Sequence, residues 1–173
     1  MDSMREIVFG LEDSLVSTLG TITGIAAGTQ SQYVVILSGL VLIAVEATSM
    51  AAGSYLSTKS YEAAEHAYVR DGHRVRHRSE VSPLRSAAVM GTFYFLGGFV
   101  PLLPYLLLPV QDAYLPSIVA TGASLFGLGW WSASFTKEQR VRAGLEMLAV
   151  SMAAAFIGFA IGWFVRLRFG VVV

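Results

Sequence analysis

Five stretches of this chain are apolar enough, and long enough, to cross a lipid bilayer: approximately residues 7–28, 33–57, 84–108, 114–135 and 142–165. A hydrocarbon core of about 30 Å takes about 20 such residues in a helix. Only helices and closed barrels satisfy every backbone group in lipid. The spacing therefore predicts an all-α, polytopic membrane protein with five transmembrane helices. Charged residues make up 14% of the 173, and the mean hydropathy is +0.60. A soluble domain carries about a quarter charged residues. The third stretch contains PLLPYLLLP, whose prolines are tolerated where neighbouring helices take up the freed carbonyls.

The basic residues give an orientation. Arg5 precedes the first span. Lys59, Arg70, Arg74, Arg76, Arg78 and Arg85 lie between spans two and three, and Lys137, Arg140 and Arg142 between spans four and five. Only Arg166 and Arg168 lie at the other end. Cytoplasmic loops are the Lys/Arg-rich ones, so the amino terminus is expected in the cytoplasm and the carboxyl terminus outside. MDSMREI is a poor signal-peptide start, and the first span is expected to be retained. A net charge of zero leaves no basic excess for nucleic acid. The absence of cysteine excludes disulfides and thiolate metal sites.

Residues 58–83 form the one sizeable extramembrane segment. Its first half reads as a cytoplasmic continuation of the second helix, broken at the turn dipeptide Asp71-Gly72. Glu62, Glu65 and His66 share a face of that continuation and, with Asp71, His73, His77 and Glu80, could form a transient metal-collecting surface. Four arginines between 70 and 78 favour the plainer reading of a solvated basic loop near anionic lipid.

Acids inside the spans carry the functional signal. A carboxylate at mid-membrane costs about 2.5–3.5 kcal/mol and by default marks an ion or proton pathway. Glu12 and Asp13 open the first span, where a headgroup-layer position is the bland alternative. Asp13, Ser17, Gly20, Gly24 and Gly28 recur every three or four residues and form one helical stripe. Its glycines would let another helix approach closely, which places Asp13 in a protein contact and suggests a homodimer through the first helix. Glu46 lies about fourteen residues into the second span, with Met50 and Ser54 following on the same face. The bland alternative is a protonated Glu46 donating a hydrogen bond. A thioether beside carboxylates suits a borderline-soft divalent metal better than Mg²⁺ or Ca²⁺. Glu146 near the start of span five reads most simply as an interfacial acid, and Asp112 as solvated. No nucleophile–base constellation or phosphate-binding loop is visible, so an enzyme is not expected.

Three motifs resemble the vacuolar iron transporter family of plants, yeast and prokaryotes. IVFGLEDSLVSTLGTITG is similar to its first-span signature, SMAAGSYLSTKS to the end of its second span, and GGFVPLLPY to its proline-rich third span. The resemblance implies five spans, a homodimer and proton-coupled export of Fe²⁺ from the cytosol. Metal is then a transported substrate, and no cofactor is expected. It also implies a translocation path through the positions of Asp13 and Met50. The chain departs from the pattern at Glu12 and Ser14, where Asn and Gly are usual, and at Ser54, where Glu is usual. Its segment between spans two and three is far shorter than the family's metal-binding domain and lacks Met. Glu46 is therefore expected to replace the acid missing at Ser54.

The reading that results is a proton-coupled carrier for Fe²⁺, and for Mn²⁺ as a second substrate, that exports or sequesters the ion. Asp13, Glu46 and Met50 line the path. Glu12 collects the ion, and Ser17 and Ser54 add oxygen contacts. A prokaryotic cell membrane is the expected location and a vacuolar membrane the alternative. A transport-inactive scaffold and an organic-cation carrier are the rivals. The second would need an aromatic-lined cavity, whereas the aromatics cluster at span ends and in spans three and four.

Overall fold

The computed structural model describes residues 2–70, 82–136 and 138–170. The described residues form five α-helices: α1 Asp2–Thr29, α2 Gln32–Arg70, α3 Pro83–Leu107, α4 Val110–Thr136 and α5 Arg140–Phe169. Asp71-Gly72, His73, His77, Glu80, Arg74, Arg76, Arg78 and Lys137 lie outside the described residues.

Local chemistry sets the helix ends. Gln30 takes a left-handed conformation (φ 55°) and closes α1, its N–H donating to Ala26 O. Ser82 caps α3, accepting from the Arg85 N–H, with Pro83 in the first turn. That position suits proline, since its missing N–H would have no helical partner. The Pro109 carbonyl accepts from Asp112 and Ala113 and starts α4. Gly170, at φ 57°, closes α5. Pro101 and Pro104 lie inside α3 without ending it. Ser117 of α4 donates to Pro101 O, and Gln32 of α2 to Tyr105 O, so neighbouring helices satisfy backbone groups around the prolines.

The helices alternate in direction. Gly39, Ile43 and Ser54 of α2 meet Leu102, Gly98 and Ser86 of α3 in reverse order. Gly20, Gly24 and Gly28 of α1 meet Ala154, Gly158 and Gly162 of α5 in the same order. The amino-terminal ends of α1, α3 and α5 therefore share one end of the bundle with the carboxyl-terminal half of α2. Arg5, Lys59, Arg70, Arg85, Arg140 and Arg142 are at that end.

α1 is the hub and touches all four other helices. Its buried residues Leu15, Leu19, Ile22 and Ala26 recur at helical spacing. Ile22 and Ala26 join Val35, Ile43, Leu102, Tyr105, Val110 and Ala113 in a closed apolar cluster. α2, α3 and α5 are long and apolar enough to cross a membrane. α1 and α4 are less apolar, because glycine, serine and threonine occupy their packed faces. α5 buries only 17% of its apolar stretch, against 44% for α3. Phe156, Ile157, Ile161, Trp163 and Phe164 of α5 are left exposed, as suits a lipid-facing or partner-facing helix. α2 continues sixteen residues past Ser54, about 24 Å, as an exposed arm.

Candidate functional site

The inner faces of α1, α2 and α3 form a polar seam. In its middle, Asp13 of α1 and Glu46 of α2 are half-buried and within electrostatic range of one another. The Tyr94 hydroxyl of α3 lies within range of both. Tyr94 is fully buried. Its hydroxyl shares a 2.7 Å hydrogen bond with Ser17, and its carbonyl accepts one of 2.5 Å from Ser14. The two bonds lock α1 to α3 one turn from Asp13. No Lys or Arg pairs with Asp13 or Glu46 among the described residues, where the single ion pair is Arg142–Glu146.

Met50 is half-buried one turn from Glu46 on α2. Across the seam, the Met90 sulfur of α3 lies 3.4 Å from where a Cβ on Gly10 would sit. The same Cβ would lie 3.0 Å from the Met90 carbonyl oxygen, so Gly10 lets the α3 backbone approach closely. A further turn along, Ser54 donates to Ser86 at 3.1 Å, and Ser86 to Glu6 Oε1 at 2.8 Å. This chain of hydroxyls joins all three helices. The second carboxylate oxygen, Glu6 Oε2, is buried without a partner, which costs at least about 1–3 kcal/mol unless something occupies it.

The seam is closed at its other end. A Cβ on Gly98 would meet both Ser14 Oγ at 3.1 Å and Ile43 at 2.6 Å, so the polar level abuts an apolar one directly. Beyond it Ile22, Ile43 and Leu102 are fully buried. The polar side chains therefore span one half of the bundle, from the Arg-rich end to Tyr94.

The other expected residues are distributed differently. Glu12 stays within electrostatic range of Asp13 but lines a cleft of about 230 Å³ with Ser132, Glu138, Glu146 and Met147 between α4 and α5. Glu146 is exposed and held by Arg142 at 2.9 Å. Glu62 and Glu65 are half-buried and His66 exposed on the α2 arm, beyond the seam. Among the described residues, no three His, Asp or Glu side chains gather as a metal-holding group. Among the described residues, the seam offers three acids, Glu6, Asp13 and Glu46, plus hydroxyl and thioether groups, and no preformed cage.

The expected stripe on α1 has two partners. Ser17 bonds to Tyr94 of α3 while the glycines meet α5, and all four residues line one groove. A Cβ on Gly24 would lie 2.7 Å from Gly158 O, and one on Gly158 or Gly162 would fall on a carbonyl oxygen of α1. The close partner of Gly20, Gly24 and Gly28 is thus α5 of the same chain. The expected approach of a second α1 along the same glycines is a contact between chains, and the open groove beside them is where it would form. An open groove of about 670 Å³ remains along the α1–α5 contact, lined among others by Ser17, Gly24, Ile25, Ile157 and Ile161.

Glu6, Ser86 and Tyr94 are additions to the residues expected from sequence. Glu6 stands two turns before Asp13 on the same side of α1, and Ser86, Met90 and Tyr94 recur every four residues, so the spacing signal was present.

Long apolar helices define a helical membrane protein, and inside it Asp13 and Glu46 stand without a basic partner among the described residues. The VIT family model matches residues 4–74 and 62–163, and the chain belongs to that family. It is 28% identical to vacuolar iron transporter 1 of Arabidopsis thaliana, over 88% of this chain and 83% of that protein. It is 30% identical to vacuolar iron transporter homolog 3 of the same plant, over 90% and 80%. Homolog 2 gives 29%, over 91% and 82%. These relatives are named as transporters, not as enzymes. The first alignment extends over 211 positions, more than the 173 residues of this chain, whereas those with homologs 3 and 2 extend over 159 and 160. Transporter 1 therefore carries residues that this chain lacks. The two family matches overlap at 62–74, beside the α2–α3 connection.

Proposed function

We propose that this protein carries a divalent metal ion, Fe²⁺ and also Mn²⁺, out of the cytosol in exchange for protons. The observation that carries the reading is the facing pair Asp13–Glu46, two acids from separate helices inside an apolar bundle with no basic partner among the described residues. Two carboxylates balance one divalent charge. Two protons balance them equally well, so metal and protons compete for the same oxygens. Capture is then favoured where protons are scarce and release where they are abundant. Met50 biases the choice towards a borderline-soft ion.

All five helices span the bilayer in this reading, with the Arg-rich end in the cytoplasm. The ion enters the polar seam from that side in this reading, and Ile22, Ile43 and Leu102 form the opposite gate. Transport requires that plug to part after the cytoplasmic end closes. A second copy seats along the α1–α5 groove and makes the homodimer. The membrane is a prokaryotic cell membrane or a vacuolar one.

The test is flux in proteoliposomes with an imposed pH gradient and a panel of Fe²⁺, Mn²⁺, Mg²⁺ and Ca²⁺. Gradient-driven movement of Fe²⁺ and Mn²⁺ is expected, with little of the other two. The lack of a three-acid cluster among the described residues and the short α2–α3 connection favour a second reading, a transport-inactive membrane scaffold. Absence of flux for every metal would select it.

A further inference from the structure

We infer that Glu6, Ser86 and Ser54 form a second divalent-cation station, in series with the Asp13–Glu46 pair and nearer the Arg-rich end. The inference rests on the transport reading for its purpose, but the site can be tested by binding alone. Three observations point to it. Glu6 Oε1 is held by Ser86, and Ser86 by Ser54, so one carboxylate and two hydroxyl oxygens from three helices converge. The hydroxyls spend their protons on the chain towards Glu6 and keep lone pairs free. Glu6 Oε2 is buried, unpartnered and without a basic neighbour in ion-pair contact among the described residues. A cation would satisfy that oxygen where no group of the described chain does.

The position gives the station its role. Glu6 and Asp13 are seven residues apart, about 10 Å along α1. The thioether of Met90 lies between them against Gly10. An ion leaving the carboxylate and hydroxyls of the first station meets a weak sulfur ligand before the two carboxylates of the second. Conduction needs sites that bind well enough to be entered yet release, and sites in series meet both demands. The station accounts for a carboxylate that the Asp13–Glu46 pair does not use. Its hard oxygens would accept Mn²⁺ or Fe²⁺ with water completing the shell.

The experiment uses the full chain in lipid nanodiscs, with Mn²⁺ binding followed by electron paramagnetic resonance, and the same variants in proteoliposomes. Glu6→Gln keeps the acceptor for Ser86 and removes the charge. We expect it to lose one Mn²⁺ equivalent and to raise the half-saturating Mn²⁺ for uptake about tenfold. Asp13→Asn with Glu46→Gln should lose the other equivalent and keep this one. If Glu6→Gln does not fold, the Ser54→Ala, Ser86→Ala double variant keeps the carboxylate and should still weaken the same equivalent. Unchanged stoichiometry and unchanged half-saturation in the variant that folds would overturn the station. So would a single equivalent in the unaltered protein that Asp13→Asn removes, and the transport reading would then survive. An equivalent lost with Glu6→Gln in a protein that moves no metal would uphold the station and sink transport.

Discussion

α1 presents two unlike faces. Towards α5, glycine meets glycine and the backbones nearly touch. Towards α2 and α3, acids, hydroxyls and thioethers meet across a seam with an unpartnered oxygen. In lipid, helices gain nothing from burying apolar surface against each other, so close van der Waals contact supplies much of the association. The glycine face is the tight one, backbone against backbone, and it runs beside an open groove. The polar face has partners that can be exchanged for an ion. The difference teaches which contact holds and which one is free to change: on the proposed function, α1 and α5 are expected to move as a unit, and opening is expected between that unit and α2–α3.

The most damaging change should strike the glycine face. Gly158→Leu places a branched side chain on the Gly20 carbonyl, where only backbone can move. Overpacking a well-filled core costs about 1–3 kcal/mol and occasionally more, and the upper end applies here. The expected outcome is loss of a monodisperse species in detergent, read by size-exclusion chromatography and thermal unfolding. A stable, active Gly158→Leu protein would remove the basis for treating α1–α5 as one body.

Changes to the polar face should spare folding and remove function. Asp13→Asn keeps shape and hydrogen-bonding capacity but leaves a bound metal facing Glu46 alone. Removing one partner of a buried charge pair costs about 3–5 kcal/mol, and about 3 kcal/mol is more than a hundredfold. Flux should fall to liposome background with unfolding unchanged. Glu46→Gln should cost less, about tenfold, because Asp13 keeps its position through the Ser14 and Ser17 bonds that fix α1 to α3. Equal losses in the two variants would mean that the acids act as an inseparable pair; an unimpaired Glu46→Gln would take Glu46 off the path.

Much of this contrast was legible in the sequence. The apolar runs announced an all-helical chain, because helix length in lipid is fixed by bilayer thickness. The acids at Asp13 and Glu46 stood out because their surroundings are apolar. What periodicity could not give was the partner of each face. A glycine stripe says that something approaches closely, not whether it belongs to the same chain, and α5 supplies the answer only in three dimensions. The adjacent Glu12 and Asp13 were read together, yet a helix turns about 100° per residue, and Glu12 faces the α4–α5 cleft instead. Glu6 was passed over because it precedes the apolar run, where an acid carries no visible penalty. Its burial comes from α3.

The smallest effect should come from Tyr94→Phe, and it separates holding from working most finely. The phenyl ring still fills the fully buried position, so no cavity forms. The Ser14 bond goes to the Tyr94 backbone and survives. Only the hydroxyl is lost, together with its bond to Ser17. A single hydrogen bond contributes about 0.5–1.5 kcal/mol, worth about 2–4 °C in a chain of this size. If Tyr94 merely braces α1 against α3, the melting temperature should fall by that amount and flux should hold. If its hydroxyl also faces the ion between Asp13 and Glu46, half-saturation for Mn²⁺ should rise a few-fold as well, and a Ser17→Ala variant, which loses the same bond but keeps the phenol, should show the thermal effect without the kinetic one.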